Sequence, residues 1–185
     1  MNDYKLLRED SDSDEEVYFI WWLNELKENG YIESWSRGRT FELSQSIKRE
    51  YSRKLKTKIK RDTEHFLHAA KYTPDFEIKW RGKAIGKFVT KWDSGSKKNT
   101  VFYCNENLIT IVEVKGGFDH QNMTRLVQTK IKWLFQLYQI PVQIVKIPKF
   151  FEKTFTPNRY LTTNLSQKKR TIKFDIKGIE RYKGK

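Results

Sequence analysis

Between residues 13 and 29 apolar side chains recur at helical spacing, with Tyr18, Phe19, Trp22, Leu23 and Leu26 on one face. Ser13 with Glu16 three residues later is a capping-box pattern and Gly30 a stop signal, so the spacing predicts a helix over 13–29. The pattern changes over 39–60, where Phe41, Leu43, Tyr51, Leu55 and Ile59 stand among many bases. The alternation from Leu55 to Lys60 predicts an exposed strand or hairpin arm there. Tyr72 to Trp80 reads as a strand that begins at Pro74, where a missing N–H does little harm. Residues 81–100 are rich in Gly, Lys, Ser and Asn and read as a long hairpin or loop, followed by a short strand from Val101 to Tyr103. Leu108 to Lys115 is the most apolar and β-branched stretch, the pattern of a central strand covered on both faces, and Gly116-Gly117 ends it. A helix is expected over 120–139, with Met123, Leu126, Val127, Ile131, Leu134, Leu137 and Tyr138 on one stripe; Pro141 closes it and Val142 to Ile147 is a further strand. From Phe150 onward the chain is aromatic and basic with weak periodicity. The expected fold class is α/β, a mixed central sheet flanked by helices. It forms a single domain over 13–175, between an acidic flexible leader (1–12) and a basic tail (176–185).

A length of 185 residues supports one core of this kind. Composition narrows the partner: 37 Lys and Arg against 23 Asp and Glu give a net charge of +14, which points to nucleic acid or an anionic membrane surface. Ten of the acids fall in residues 1–33, against three bases, so the body is more basic than the average and the chain is a charge dipole. That leader either orients the protein on a polyanion or simply keeps it soluble. A hydrophobic fraction of 37% excludes disorder throughout. Cys104 is the only cysteine, which excludes a disulfide framework and a cysteine-rich zinc site and fits a reducing compartment. No apolar run approaches the roughly 20 residues that span a bilayer, so no membrane partner is expected. The acidic start is neither a signal nor a transit peptide.

One arrangement carries chemistry. Side chains alternate along a strand, so Glu113 and Lys115 emerge from the end of the most apolar strand on the same face. Burying both is costly unless they are paired, solvated or bound to an ion. Mg²⁺ or Mn²⁺ takes oxygen ligands, and Asp75 and Glu113 on neighbouring strands supply two carboxylates. Lys115 would then lie near an attacking water and a phosphodiester. The alternative is a structural Glu113–Lys115 ion pair at a sheet edge.

Pro74-Asp75 followed by Glu113-x-Lys115 resembles the PD-(D/E)xK nuclease superfamily, as does the order helix, strand, strand with Asp, strand with Glu-x-Lys, helix, strand. Tyr18 to Lys27, Tyr72 to Phe76, Glu113 to Gly116 and Phe155 to Leu161 further resemble small bacteriophage endonucleases of the Holliday-junction-resolvase-like type, over about residues 13–175. The 38 residues from Asp75 to Glu113 exceed what a simple hairpin needs, so 81–100 must loop out. The resemblance implies a restriction-endonuclease-like fold and a metal-dependent DNA endonuclease of the host-cell cytoplasm. It also implies the Val114 carbonyl as a metal ligand and a glutamate of the first helix completing the site. Glu16 has the family spacing; Glu15 lies nearer the centre of the apolar face. Rival readings are a non-catalytic DNA-binding protein on a nuclease-like fold, or a subunit active only within a larger phage assembly. Cleavage of a junction requires two sites and hence a homodimer, for which no clear stripe is evident.

Expected phosphate contacts are Lys48, Arg49, Arg53, Lys54, Lys56, Lys58, Lys60 and Arg61 in the first half. In the C-terminal part they are Lys168, Lys169, Arg170, Lys173, Lys177, Arg181, Lys183 and Lys185. The C-terminal ten residues are expected to order on DNA. Lys130, within the apolar stripe of the second helix, either holds a phosphate or snorkels, and Gln128 on its flank is a hydrogen bonder or a solvent-facing amide. Trp35, Trp80, Trp92 and Phe118 either stack on bases or pack in the core. His65 and His68 lack a third metal ligand at sensible spacing, and Asp119-His120 reads as a cap or a site neighbour.

Overall fold

Ser13 caps the main helix: its backbone is extended and its Oγ accepts the Glu16 N–H at 3.3 Å. A computed structural model describes residues 3–92, 100–116, 121–166 and 168–184, and the side chains of all of these except 121–125. Gly117, Phe118, Asp119, His120, Lys185 and the Met123 side chain therefore lie outside the described residues. A short helix α1 (Asp3–Glu9) precedes the capped helix α2 (Asp14–Glu28), which Gly30 at φ +70° terminates. Every side chain from Glu16 to Leu23 is buried, so α2 is covered all round and not on one face. The cover comes from the sheet on one side and from the C-terminal segment on the other. Phe19 and Trp22 stack at 5.4 Å, and Trp22 also stacks on Phe155 at 5.3 Å and meets Phe150 edge-on at 4.9 Å. Each fully buried aromatic of this kind contributes about 1.5–3 kcal/mol.

The principal sheet has four strands, β1 (Ile32–Arg37), β6 (Phe76–Trp80), β9 (Ile109–Lys115) and β10 (Val142–Lys146), in the order β1-β6-β9-β10. The first two pairings are antiparallel and the last is parallel, so the sheet is mixed and the fold is α/β. The helix α3 (Gln121–Tyr138) makes the crossover that a parallel β9–β10 pair requires. Three two-stranded ribbons complete the architecture: β2 (Phe41–Ser44) with β5 (Ala70–Tyr72), β3 (Ile47–Lys54) with β4 (Ile59–Leu67), and β7 (Val89–Lys91) with β8 (Phe102–Cys104). A five-residue helix α4 (Lys149–Lys153) follows β10. No helix among the described residues is long and apolar enough to cross a membrane.

The structure departs from the expected elements in three places. Pro74-Asp75 does not begin a strand: β5 ends at Tyr72 and β6 begins at Phe76, so the pair lies in the step between two sheets. Alternation hid the step because Tyr72, Pro74 and Phe76 are all buried. The stripe on α3 is only partly core: Leu134 is buried and Ile131 partly so, while Leu126, Leu137 and Tyr138 are exposed. The described residues of both terminal segments dock: Tyr4 and Leu7 of α1 pack on the core, and Ile179 and Tyr182 are buried within it. An isolated apolar residue in a basic stretch carries no periodicity from which such docking can be read. Of the two readings for the tryptophans, Trp80 takes core packing: it is buried with its Nε1–H donated to Thr110 Oγ1 at 2.8 Å, and the Trp35 indole donates to Asn24 at 3.1 Å. Trp80 is closed to a base and Trp35 half-buried, whereas Trp92 is exposed beside Tyr103.

Candidate active site

Hydrophobic burial carries β9 into the centre of the sheet, and the strand takes its two charged residues with it. Its burial runs unbroken from Thr110 to Val114, and Glu113 is only 4% exposed. A buried carboxylate needs partners, and Glu113 has two. Lys115 Nζ lies 2.8 Å from Oε1, and the Tyr72 phenol donates to Oε2 at 2.9 Å. Burial and the Glu113 charge both push the Tyr72 hydroxyl up, so it stays protonated and able to donate. Tyr72 comes from β5, a strand outside the principal sheet, and sequence reasoning assigned it no role in the site.

Asp75 meets the same strand end. Its Oδ2 accepts the Val114 N–H at 2.6 Å, which ties the Pro74-Asp75 step to the backbone between Glu113 and Lys115. Burial first, then the Glu113 charge and more weakly Glu16, push the Asp75 carboxyl from 3.8 up to about 7; the Val114 N–H and Lys115 act in the opposite direction. Mutual electrostatic influence of this order means the motif residues form one charge cluster.

Gly38 positions the step. Its N–H donates to the Asp75 carbonyl at 3.1 Å, and a Cβ built on it would lie 2.0 Å from the Pro74 carbonyl oxygen. Only glycine permits that approach of backbone to backbone. Nothing in the order of residues around Gly38 announces it, because the contact is made with a segment 36 positions away.

The first turn of α2 overhangs the cluster. Glu16 is 6% exposed and holds Arg37 at 2.7 Å; the Asp12 N–H and the Ser13 hydroxyl also donate to its carboxylate. Glu16 is thus both cap partner and ion-pair partner. Glu15 lies against Gly116, its Oε1 3.1 Å from where a Cβ on that residue would stand. Of the two candidate glutamates, Glu15 reaches the residue after Lys115, while Glu16 is turned to Arg37. An open cleft of about 270 Å³ gives access, lined by Asp10, Asp12, Glu16, Arg37, Pro74 and Asp75.

No protein-family model, curated protein or solved structure matches the chain.

The donor set at this position is all oxygen: the Asp75 and Glu113 carboxylates and the Val114 carbonyl. Hard oxygen donors suit Mg²⁺ or Mn²⁺. Among the described residues no three His, Cys, Asp or Glu side chains are grouped to hold a metal ion. His65 and His68 stack at 5.6 Å on the exposed arm, away from this cluster. Cys104 is buried and burial pushes its thiol up, which removes it as a nucleophile.

The basic run forms a hairpin arm, but Leu55 to Lys58, whose alternation predicts a strand, is its turn; the strands are β3 and β4 on either side of it. All of β3 is exposed, and the tip closes with the Leu55 N–H on the Lys58 carbonyl at 2.8 Å. Directly opposed residues share a face, so Arg49, Arg53 and Lys60 lie with Glu64 and Asp62, and all three ion pairs of the arm form there. The other face carries Lys48, Lys54 and Arg61, which make no ion pair among the described residues. Lys56 and Lys58 extend that charge around the tip. Lys168 and Lys169 are exposed, but Arg170 is turned inward: Nε donates to the Tyr160 carbonyl at 3.0 Å and the guanidinium covers the Tyr18 and Tyr160 rings. Arg170 thus braces the C-terminal segment and is not presented to a phosphate. Lys130 is half-buried and Gln128 exposed on α3.

Proposed function

We propose that the protein is a metal-dependent DNA endonuclease of the PD-(D/E)xK type on a restriction-endonuclease-like fold. The observation that carries this reading is the Asp75–Val114 bond. It brings a Pro-Asp step and a Glu-x-Lys strand end, 38 residues apart in sequence, into one charge cluster, of which Asp75 lines an acidic cleft. Asp75 and Glu113, with the Val114 carbonyl, would hold the cation. When bound, a divalent cation supplies Lewis acidity, neutralising charge on the phosphodiester and making water a better nucleophile.

The chain's own groups do the rest. Lys115 is held by Glu113 and points to the cluster, where its ammonium orients the attacking water and stabilises charge on the phosphate. Tyr72 fixes the second oxygen of Glu113, so the carboxylate presents a set geometry. Glu16 holds Arg37 at the cleft, and Glu15 reaches the backbone just past Lys115.

Duplex DNA suits the arm. A two-stranded ribbon fits the B-form major groove but not the narrow major groove of A-form RNA. Eight residues of β3 give about 27 Å of ribbon. Of the six bases from Arg53 to Arg61, Arg53 and Lys60 pair with Asp62, and Lys54, Lys56, Lys58 and Arg61 make no ion pair among the described residues and are left for a polyanion. One observation favours a non-catalytic DNA-binding module instead: Glu113 and Glu16 are fully engaged by protein partners.

Conversion of supercoiled plasmid to nicked and linear forms separates the two. Cleavage in Mg²⁺ or Mn²⁺, blocked by chelator and lost in Lys115→Ala, is expected; DNA retention without cleavage in either metal overturns the enzyme reading.

A further inference from the structure

A second cationic feature lies beside the cluster, built from residues the sequence scatters over a strand end and a short helix. Lys146 ends β10, and Lys149 and Lys153 are four apart on α4, hence on one side of it. The three line a cavity of about 390 Å³, with Ile144 and the buried Phe150 also in its lining and Gln128 of α3 on its wall. All three lysines are exposed, and among the described residues none of them forms an ion pair.

Register connects this groove to the candidate active site. Lys146 is the direct partner of Lys115 in the parallel β9–β10 ladder, and the Ile147 N–H continues that ladder to the Lys115 carbonyl at 3.3 Å. Paired residues stand about 4.8 Å apart and point to the same face of a sheet. The lysine groove thus begins one strand spacing from Lys115. We propose that it is the seat of the nucleic-acid backbone on one side of the scissile bond. The phosphates that follow the one at Lys115 are held by Lys146, Lys149 and Lys153, and the apolar lining lies against the sugar edge. This deepens the phosphodiesterase reading of the cluster and rests on it. Three unpaired ammonium groups in one concave surface are costly to bring together unless several phosphates neutralise them.

The test is the salt dependence of binding, measured by fluorescence anisotropy with a labelled DNA duplex in chelator, so that no cleavage is involved. The K146Q/K149Q/K153Q variant should bind at least tenfold more weakly than wild type at 0.1 M salt. Its slope of log K against log salt should be shallower by about two to three, since each phosphate contact contributes roughly 0.9. A control variant, K27Q/K83Q, at the far end of α2, should leave the slope within one of wild type. Lys149→Glu should weaken binding more than Lys149→Gln. Wild-type binding with an unchanged slope in the triple variant overturns the groove and leaves the active-site reading standing. Absence of wild-type binding to the duplex overturns both.

Discussion

Asp75→Asn is expected to abolish cleavage and to make the protein more stable above pH 7. The loss of activity, on the order of 10³-fold, follows from removing one of the two carboxylates proposed to hold the cation. The gain in stability follows from the same geometry. Burial and the neighbouring Glu113 carboxylate push Asp75 from 3.8 up to about 7. Below pH 3.8 the group is protonated in both folded and unfolded chains. Between 3.8 and 7 the folded protein keeps a proton that the unfolded chain releases, so stability falls as pH rises, and above 7 the full cost of an ionised Asp75 is felt. That cost is about 4 kcal/mol for a displacement of this size. Asparagine keeps an oxygen for the Val114 N–H and carries no charge. Its advantage over wild type should therefore grow from pH 4 to pH 8, by roughly 5–15 °C in melting temperature. A variant less stable than wild type at pH 8 would show that Asp75 is held by favourable charge contacts rather than confined by burial and its acidic neighbours.

Gly38→Ala carries the second large effect. A Cβ there would stand 2.0 Å from the Pro74 carbonyl oxygen, a backbone atom that cannot swing aside. Either the end of β1 or the Pro74-Asp75 step must move, and with it the bond from Asp75 to Val114. Overpacking of this kind costs about 1–3 kcal/mol, and a displacement near 1 Å at the carboxylate lowers cleavage about 10²-fold. Gly82→Ala is the control, because nothing lies within 4 Å of a Cβ at that position. Chemical denaturation and cleavage should separate the two variants; equal behaviour would show that the step tolerates the methyl group.

The central strand was legible in the sequence because Ile109 to Val114 admits few alternatives to full burial, and α2 because Ser13 and Gly30 mark its ends. The hairpin arm was legible because its charge leaves no apolar face to bury. Glu113, Lys115 and Asp75 were named from motif and strand phase, and the structure brings them together. The rest depends on contacts between distant segments. Tyr72 reaches Glu113 only because β5 leaves the principal sheet, and Gly38 matters only because β1 ends against Pro74. Lys146, Lys149 and Lys153 converge only because α4 folds back beside the end of β10. In sequence Arg170 is one more cation of a uniform basic run, whereas in the fold Tyr18 and Tyr160 draw it inward.

Asp75 and Glu113 are proposed to act as two halves of one cation site. Calorimetric titration of Mn²⁺ into the protein at pH 7.5 tests this most directly. One Mn²⁺ per chain is predicted for wild type, with binding lost in both Asp75→Asn and Glu113→Gln while each variant remains folded. Absence of Mn²⁺ binding by wild type, or binding that survives both substitutions, contradicts it.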